Sequence, residues 1–342
     1  MDDGARKFFS ADNDYVRSND YFIRADELTM HFPARKDGLG RVTGWIHSAD
    51  SVSFEVPRGK TMGVVGESGS GKSTVGKMLV GLYQPTSGRI YYEGKDITGL
   101  TQKERLPYMR RMQMVWQDPY SSLDPRMPVG EIIGEGIRNF GLAASRAEYQ
   151  ERVEQLMKIC GLFPEEKTQY AHQFSGGQRQ RICIARALAT NPDFVVLDEA
   201  VSALDVSIQA QIVNLLKDLQ DEFSLTYLFI SHDLNIVRYI SDEVIVMYLG
   251  QIVERGTMEL IFRNRAHPYT RALFSATPVF PPDAKAQKDR IILQGEIPSP
   301  VDPPGGCRFA ARCPYASGKC RGEEPVWHEV EQNHYVKCSL FD

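Results

Sequence analysis

Gly66-Glu67-Ser68-Gly69-Ser70-Gly71-Lys72-Ser73-Thr74 follows a short apolar run, Thr61–Val65, and precedes Thr74–Tyr83, where Val75, Met78, Leu79 and Leu82 recur at helical spacing. The order predicts a buried strand, a glycine-rich loop and an amphipathic helix. The spacing G-x-x-x-x-G-K-[ST] has a physical meaning. Glycines let the backbone wrap a phosphate with its N–H groups turned inward, and the N-terminus of the next helix adds a favourable dipole. Lys72 would then reach the β- and γ-phosphates of a nucleotide, and the Ser73 hydroxyl would ligate Mg2+.

Other segments supply what such a loop needs. Phe194–Leu197 reads as a buried strand and ends on Asp198-Glu199. Asp198 suits the Mg2+ carboxylate of a nucleotide site, and Glu199 is placed to take a proton from an attacking water or to orient it. Ser175-Gly176-Gly177-Gln178 opens a helix containing Arg179–Ala189, a second anion-binding end, or simply an N-cap with a flexible lead-in. His232 follows the strand Leu225–Ile230 and suits a γ-phosphate contact or a proton relay, although a lone histidine there is more often structural. Gln117, after the apolar Met114-Val115-Trp116, could reach a metal or a water.

Between these motifs the pattern changes. Ser145 and Glu148 form a capping-box pair ahead of Val153, Leu156, Met157 and Cys160, which marks a small helical insert. Elsewhere strands alternate with helices. Val52–Val56, Val244–Met247 and Ile252–Val253 read as strands, with turns at Pro57–Lys60 and Gly250. Ile208, Ile212, Leu215, Leu216 and Leu219 stripe a helix. This alternation predicts an α/β fold with a mostly parallel sheet covered on both faces.

The chain has 342 residues, with 40 Lys+Arg against 44 Asp+Glu, a formal charge of −4. That balance argues against a nucleic-acid binder driven by phosphate neutralisation. No apolar run is long enough to cross a bilayer, and Met1–Asp20 carries acids instead of a signal-peptide core. The expectation is a cytoplasmic chain that meets a membrane only through a partner. Past about residue 275 proline and glycine become dense, and four of the six cysteines gather there. Cys307, Cys313, Cys320 and Cys338 space as C-x5-C-x6-C-x17-C. Structural zinc usually shows tighter pairs, so a metal, an iron–sulfur cluster and unligated thiols all stay open. Cys160 and Cys183 lie on helical patterns and read as buried small hydrophobes.

Taken in order, the P-loop, Gln117, Ser175–Gln178, Asp198-Glu199, Ser202-Ala203-Leu204-Asp205 and His232 resemble the motifs of the ATP-binding-cassette (ABC) ATPases over about residues 22–260. The resemblance implies a P-loop NTPase (RecA-like) cassette with a helical insert, in which two cassettes sandwich two ATP molecules head-to-tail. It implies that residues Gly66 to Thr74, with Gln117, Asp198, Glu199 and His232, act on the cassette's own nucleotide. Ser175, Gly176, Gly177 and Gln178 would act on the partner's, and Asp205 would couple the two sites. Phe32 is the expected adenine-stacking residue, with Trp45 as its rival. Phe174 stands where many family members have Leu, and it keeps an apolar group before the signature serine.

Gln117–Arg126, Phe174–Arg181 and His267-Pro268-Tyr269-Thr270 are similar to the oligopeptide/dipeptide importer ATPases, in the F-type form. That implies a heterodimer with a sister ATPase, two membrane permeases and an extracytoplasmic peptide-binding protein, at the cytoplasmic face of the membrane as a peripheral subunit. Nickel importers share much of the pattern, and a soluble ABC ATPase without permease is the other alternative. The group also implies a [4Fe–4S] cluster on the four tail cysteines, with zinc as runner-up. The expected layout is an N-terminal tail to residue 20, an ATPase domain over 21–260 with a helical subdomain at about 118–175, and a loop-rich Cys extension over 261–342.

Overall fold

The computed structural model describes residues 21–276 and 291–342, which fall into two compact units. One unit contains Val56–Lys60 and Gly99–Leu228; the other contains Ile23–Glu55, Thr61–Thr98 and Phe229–Asp342. The boundary falls inside the strand Thr226–Ile230.

In the first unit the strands Met112–Val115 and Phe194–Asp198 pair in parallel, with Met112 opposite Phe194 and Val115 opposite Leu197. Every residue of Phe194–Asp198 is buried, as expected for a continuous apolar run in a parallel sheet. The predicted insert is helical, with helices Val129–Asn139 and Arg146–Ile159 followed by two short 3-10 turns. Ser145 caps the second helix by accepting the Glu148 N–H at 3.1 Å. Only half of the predicted box closes, because the Glu148 carboxylate takes the N–H of Ala144 instead, at 2.7 Å. The helices Gly176–Leu188 and Val206–Phe223 complete this unit. The latter buries Ile212, Val213, Leu216 and Leu219, so the stripe read from the sequence is rotated slightly toward Val213.

In the second unit the strand Ile23–Lys36 pairs antiparallel with Ser87–Tyr92. A separate ladder carries the site. Thr61–Val65 runs parallel to Glu243–Tyr248, with Met62 opposite Glu243 and Val65 opposite Val246. Glu243–Tyr248 turns at Leu249-Gly250, both at positive φ, into the antiparallel strand Gln251–Thr257. The helix Lys72–Leu79 is shorter than the expected Thr74–Tyr83, because Gly81 takes φ 81° and its N–H returns to the Met78 carbonyl.

The described tail is mostly loop over 291–326, as its composition predicts, and a hairpin follows it. The strands Trp327–Glu331 and His334–Lys337 form a hairpin, and His334–Lys337 adds to the edge of Gln251–Thr257. Trp327–Glu331 has no fully buried residue, so no apolar alternation announces it. Described residues 291–342 thus belong to the same unit as the P-loop. Among the described residues no helix is long and apolar enough to cross a membrane.

Candidate functional site

The glycine-rich loop is shaped by two positions that admit no side chain. Gly66 has φ 154°, and a Cβ there would lie 2.2 Å from the Met247 carbonyl oxygen. Gly71 has φ 100°, and its Cβ would lie 2.0 Å from the Ser48 carbonyl oxygen. The backbone therefore presses against its neighbours and its exposed tip is Ser68-Gly69. Lys72 is buried, and its Nζ donates to the carbonyls of Gly66 and Glu67, each at 2.8 Å, and reaches Ser70 Oγ at 3.4 Å. Ser73 opens the helix beside it, half-buried, and Thr74 Oγ1 meets Ser48 Oγ at 2.7 Å.

His232 is exposed and follows Ser231, whose N–H donates to the Val64 carbonyl at 3.2 Å. That bond sets the histidine beside the strand that leads into the loop. Phe32 is half-buried and meets Tyr83 edge-on, with centroids 5.4 Å apart. Trp45 is exposed, but its backbone is tied to the tail: its N–H donates to Asp302 Oδ1 at 3.0 Å and its carbonyl accepts the Asp302 N–H at 2.9 Å.

In the first unit Gln117 and Glu199 come together, with Gln117 Nε2 donating to Glu199 Oε2 at 2.8 Å. Glu199 sits at φ 47°, a left-handed conformation that costs a non-glycine residue about 1 kcal/mol or more. Ser202 holds it there, donating its N–H and its hydroxyl to the Glu199 carbonyl at 3.1 and 2.9 Å. Asp198, just before it, is buried at the strand end. The carboxylate pair thus divides into one inward group and one held at a turn.

Ser175 caps Gly176–Leu188 in a full capping box: its Oγ accepts the Gln178 N–H at 3.3 Å, and Gln178 Oε1 accepts the Ser175 N–H at 2.9 Å. Gly176 lies against Leu204, and a Cβ on Gly177 would meet Ile208 Cγ2 at 2.6 Å, so the signature helix packs closely on the segment that follows Glu199. Asp205 is exposed at the start of Val206–Phe223 and makes no side-chain cap, which leaves its carboxylate outside the helix.

Three residues at the loop went unread in the sequence. The Glu67 N–H donates to Tyr269 Oη at 2.8 Å. Arg312 forks onto Glu67, with Nη1 to Oε2 at 2.7 Å and Nη2 to Oε1 at 3.2 Å. Arg308 donates to Asp50 and to the Leu249 carbonyl. His267-Pro268-Tyr269-Thr270 now has a local explanation. His267 caps the helix Pro268–Ser275 by accepting the Tyr269 N–H at 3.1 Å, while its own N–H donates to Glu254 Oε2 at 2.8 Å. Burial pushes the His267 ring down to about 4, so it stays neutral.

The four tail cysteines share one neighbourhood. The Cys307 N–H donates to the Cys320 carbonyl at 2.8 Å, and burial, reinforced by the charges of Cys338, Cys320 and Cys313, pushes the Cys307 thiol up to about 11. Cys320 goes the other way, lowered chiefly by a backbone hydrogen bond at Ser317. Among the described residues the one trio of ligand atoms mutually within 4.8 Å is His31, His47 and Asp50. Cys160 and Cys183 are buried, and burial pushes the Cys160 thiol up to about 12, in keeping with a packing role.

Comparison with known proteins adds an independent line. Residues 49–202 match the family model described as ABC transporter, and residues 253–320 match the oligopeptide/dipeptide transporter C-terminal region. The oligopeptide transport ATP-binding protein AppF of Bacillus subtilis (strain 168) is 47% identical over 316 residues, covering 92% of this chain and 96% of its own. Among solved structures, the ATP-binding cassette MJ0796, in a dimeric post-hydrolysis state bound to ADP and Pi, aligns with TM-score 0.62 at 27% identity over 69% of this chain and 98% of its own. The cassette cbiO1 of Clostridium perfringens, part of the ABC transporter complex cbiONQ, aligns with TM-score 0.62 at 28% identity over 72% of this chain and 92% of its own.

Proposed function

We propose, for a chain that belongs to the ABC transporter ATPases and carries the oligopeptide/dipeptide C-terminal region, a cycle in which two cassettes close on two ATP molecules and reopen after hydrolysis. The chain is an ABC-type ATPase whose hydrolysis of ATP to ADP and phosphate powers peptide import. It associates with membrane permease components. Relatives named as oligopeptide or peptide transport proteins do not favour the nickel-importer and permease-free alternatives.

The roles of individual residues are part of the proposal. The N–H groups of the Gly66–Thr74 loop receive the phosphates, and Lys72 turns from its own carbonyls to the β- and γ-phosphates. Phe32 stacks on the adenine. Mg2+, when bound with ATP, neutralises phosphate charge; Ser73, Asp198 and Gln117 offer the hard oxygen donors it takes. Glu199 accepts the proton of the attacking water, and its hydrogen bond to Gln117 ties that event to the helical insert. His232 contacts the γ-phosphate. Ser175, Gly176, Gly177 and Gln178 bind the partner cassette's nucleotide through the capped helix end, and Asp205 carries the state of one site to the other. ATP drives closure because the closed pair binds it better than the open one.

We assign the partners as a sister ATPase in a heterodimer, two transmembrane permeases and an extracytoplasmic peptide-binding protein, with the chain peripheral on the cytoplasmic face and no nucleic acid involved. The observation that carries the function is the loop itself, whose Gly66 and Gly71 pack too closely on Met247 and Ser48 to admit a side chain and whose carbonyls hold the ammonium of the buried Lys72. Uptake of a labelled oligopeptide tests it: cells lacking the chain lose uptake, the wild-type chain restores it, and Glu199→Gln does not. Undiminished uptake without the chain would overturn the reading.

For Cys307, Cys313, Cys320 and Cys338 we propose a [4Fe–4S] cluster over zinc, supported by the donor chemistry of four thiols close enough to act on one another's charge. A cluster would staple the proline-rich tail, whose folding has few apolar contacts of its own. Protein purified without oxygen is expected to absorb visible light and to hold about four irons per chain. A colourless protein with a single zinc would contradict it.

A further inference from the structure

Arg312 lies far along the chain from the loop it touches, in the segment Cys307-Arg308-Phe309-Ala310-Ala311-Arg312-Cys313. Arg312 of that segment reaches the P-loop directly, and Phe309 and Arg308 hold residues linked to the loop. Phe309 is buried among Tyr248, Tyr269 and His267, with ring centroids 5.2, 5.5 and 5.7 Å away. Arg308 holds Asp50, which also receives His31 Nε2 and His47 Nδ1. The Asp50 N–H donates to the Gly250 carbonyl at 2.8 Å, and the Gly250 N–H donates to the Ser70 carbonyl of the loop at 3.0 Å. Arg312 makes its bidentate fork on Glu67, and its Nη1 also lies 3.4 Å from Tyr248 Oη.

The fork is well sheltered, with the Arg312 side chain only 9% exposed, and the Arg312 Nε is buried without a hydrogen-bond partner. The Glu67 carboxylate is therefore the main acceptor for this cation. Glu67 is also the second residue of the loop that receives an anionic triphosphate, and its N–H is already fixed on Tyr269. Left unpaired, its charge would repel the ligand and its side chain would be free to pull the loop out of shape.

We propose that Arg312 is a positioning residue for nucleotide binding: it neutralises Glu67 and fixes the loop, so that the tail segment between Cys307 and Cys313 sets the affinity for ATP. This rests on the ATP-site reading above. Arg308, through Asp50 and Gly250, braces the other side of the same loop.

The test is titration of the full chain with a fluorescent ATP analogue, alongside steady-state ATPase kinetics. Arg312→Gln is expected to weaken binding and raise KM for ATP about tenfold, with kcat at saturating ATP changed less than about twofold. The double variant Glu67→Gln/Arg312→Gln should recover most of the lost affinity, because no unpaired carboxylate is left; a merely structural role for Arg312 would give no such rescue. Arg312→Lys, which keeps the charge and loses the fork, should fall between and guards against a folding defect. Wild-type affinity in Arg312→Gln, or equal losses in the single and double variants, would overturn the proposal. Failure of the wild-type chain itself to bind the analogue would instead overturn the ATP-site reading.

Discussion

Replacing Glu199 by glutamine is expected to lower ATP turnover by a factor of about 10²–10⁴ while leaving ATP affinity within about threefold of wild type. Shape and hydrogen bonding survive the change. The Gln117 amide donates to Glu199 Oε2, and a side-chain amide oxygen in the same place accepts the same bond. The left-handed turn is held through the backbone carbonyl by Ser202, which the substitution does not touch. What is lost is the proton acceptor alone. ATP should therefore bind and stay, and the paired state that ATP favours should accumulate. Single-turnover and steady-state kinetics with a binding titration check this. Unchanged turnover would remove Glu199 as the base.

Lys72→Ala should act at the other end of the cycle. Its ammonium spans the loop from inside, with two bonds of 2.8 Å to the carbonyls of Gly66 and Glu67. Truncation leaves those carbonyls without this donor and removes the positive charge proposed to meet the phosphates. Charge-assisted hydrogen bonds of this kind contribute about 1.5–3 kcal/mol each, so ATP affinity should drop roughly 100-fold. Turnover at ordinary ATP concentrations should vanish for want of bound substrate. The titration that follows Glu199→Gln measures both, and the two variants should part: one binds without turning over, the other does not bind. Near-normal affinity in Lys72→Ala would contradict the placement of its ammonium at the phosphates.

The shape of the glycine-rich loop and the capped helix end were legible because local sequence builds their surroundings. Thr61–Val65 is the strand the apolar run predicts, and the glycines at Gly66 and Gly71 are required by the close approach of Met247 and Ser48. Ser175 and Gln178 are three apart, and their capping box forms as such spacing allows. The rest depends on contacts between distant residues. Gln117 reaches Glu199 across 82 positions, Tyr269 reaches Glu67 across 202, and Arg312 reaches Glu67 across 245. Nothing in a window of residues carries such pairings. The hairpin at the end of the tail went unread for a related reason. Residues 291–326 are mostly loop, as their proline and glycine content predicts, but His334–Lys337 finds a ready edge on Gln251–Thr257, and pairing with that edge decides its conformation. The half-formed box at Ser145 shows the limit of spacing rules: Glu148 had two backbone donors within reach and took the one at Ala144.

A cassette whose signature helix serves its partner's nucleotide cannot complete a reaction centre alone. Turnover of the chain mixed with its sister ATPase, followed while the pair is diluted and its mass is tracked by light scattering, should fall toward zero as the two separate into single chains. A verified single chain that hydrolyses ATP at the undiluted rate would contradict the shared-site mechanism.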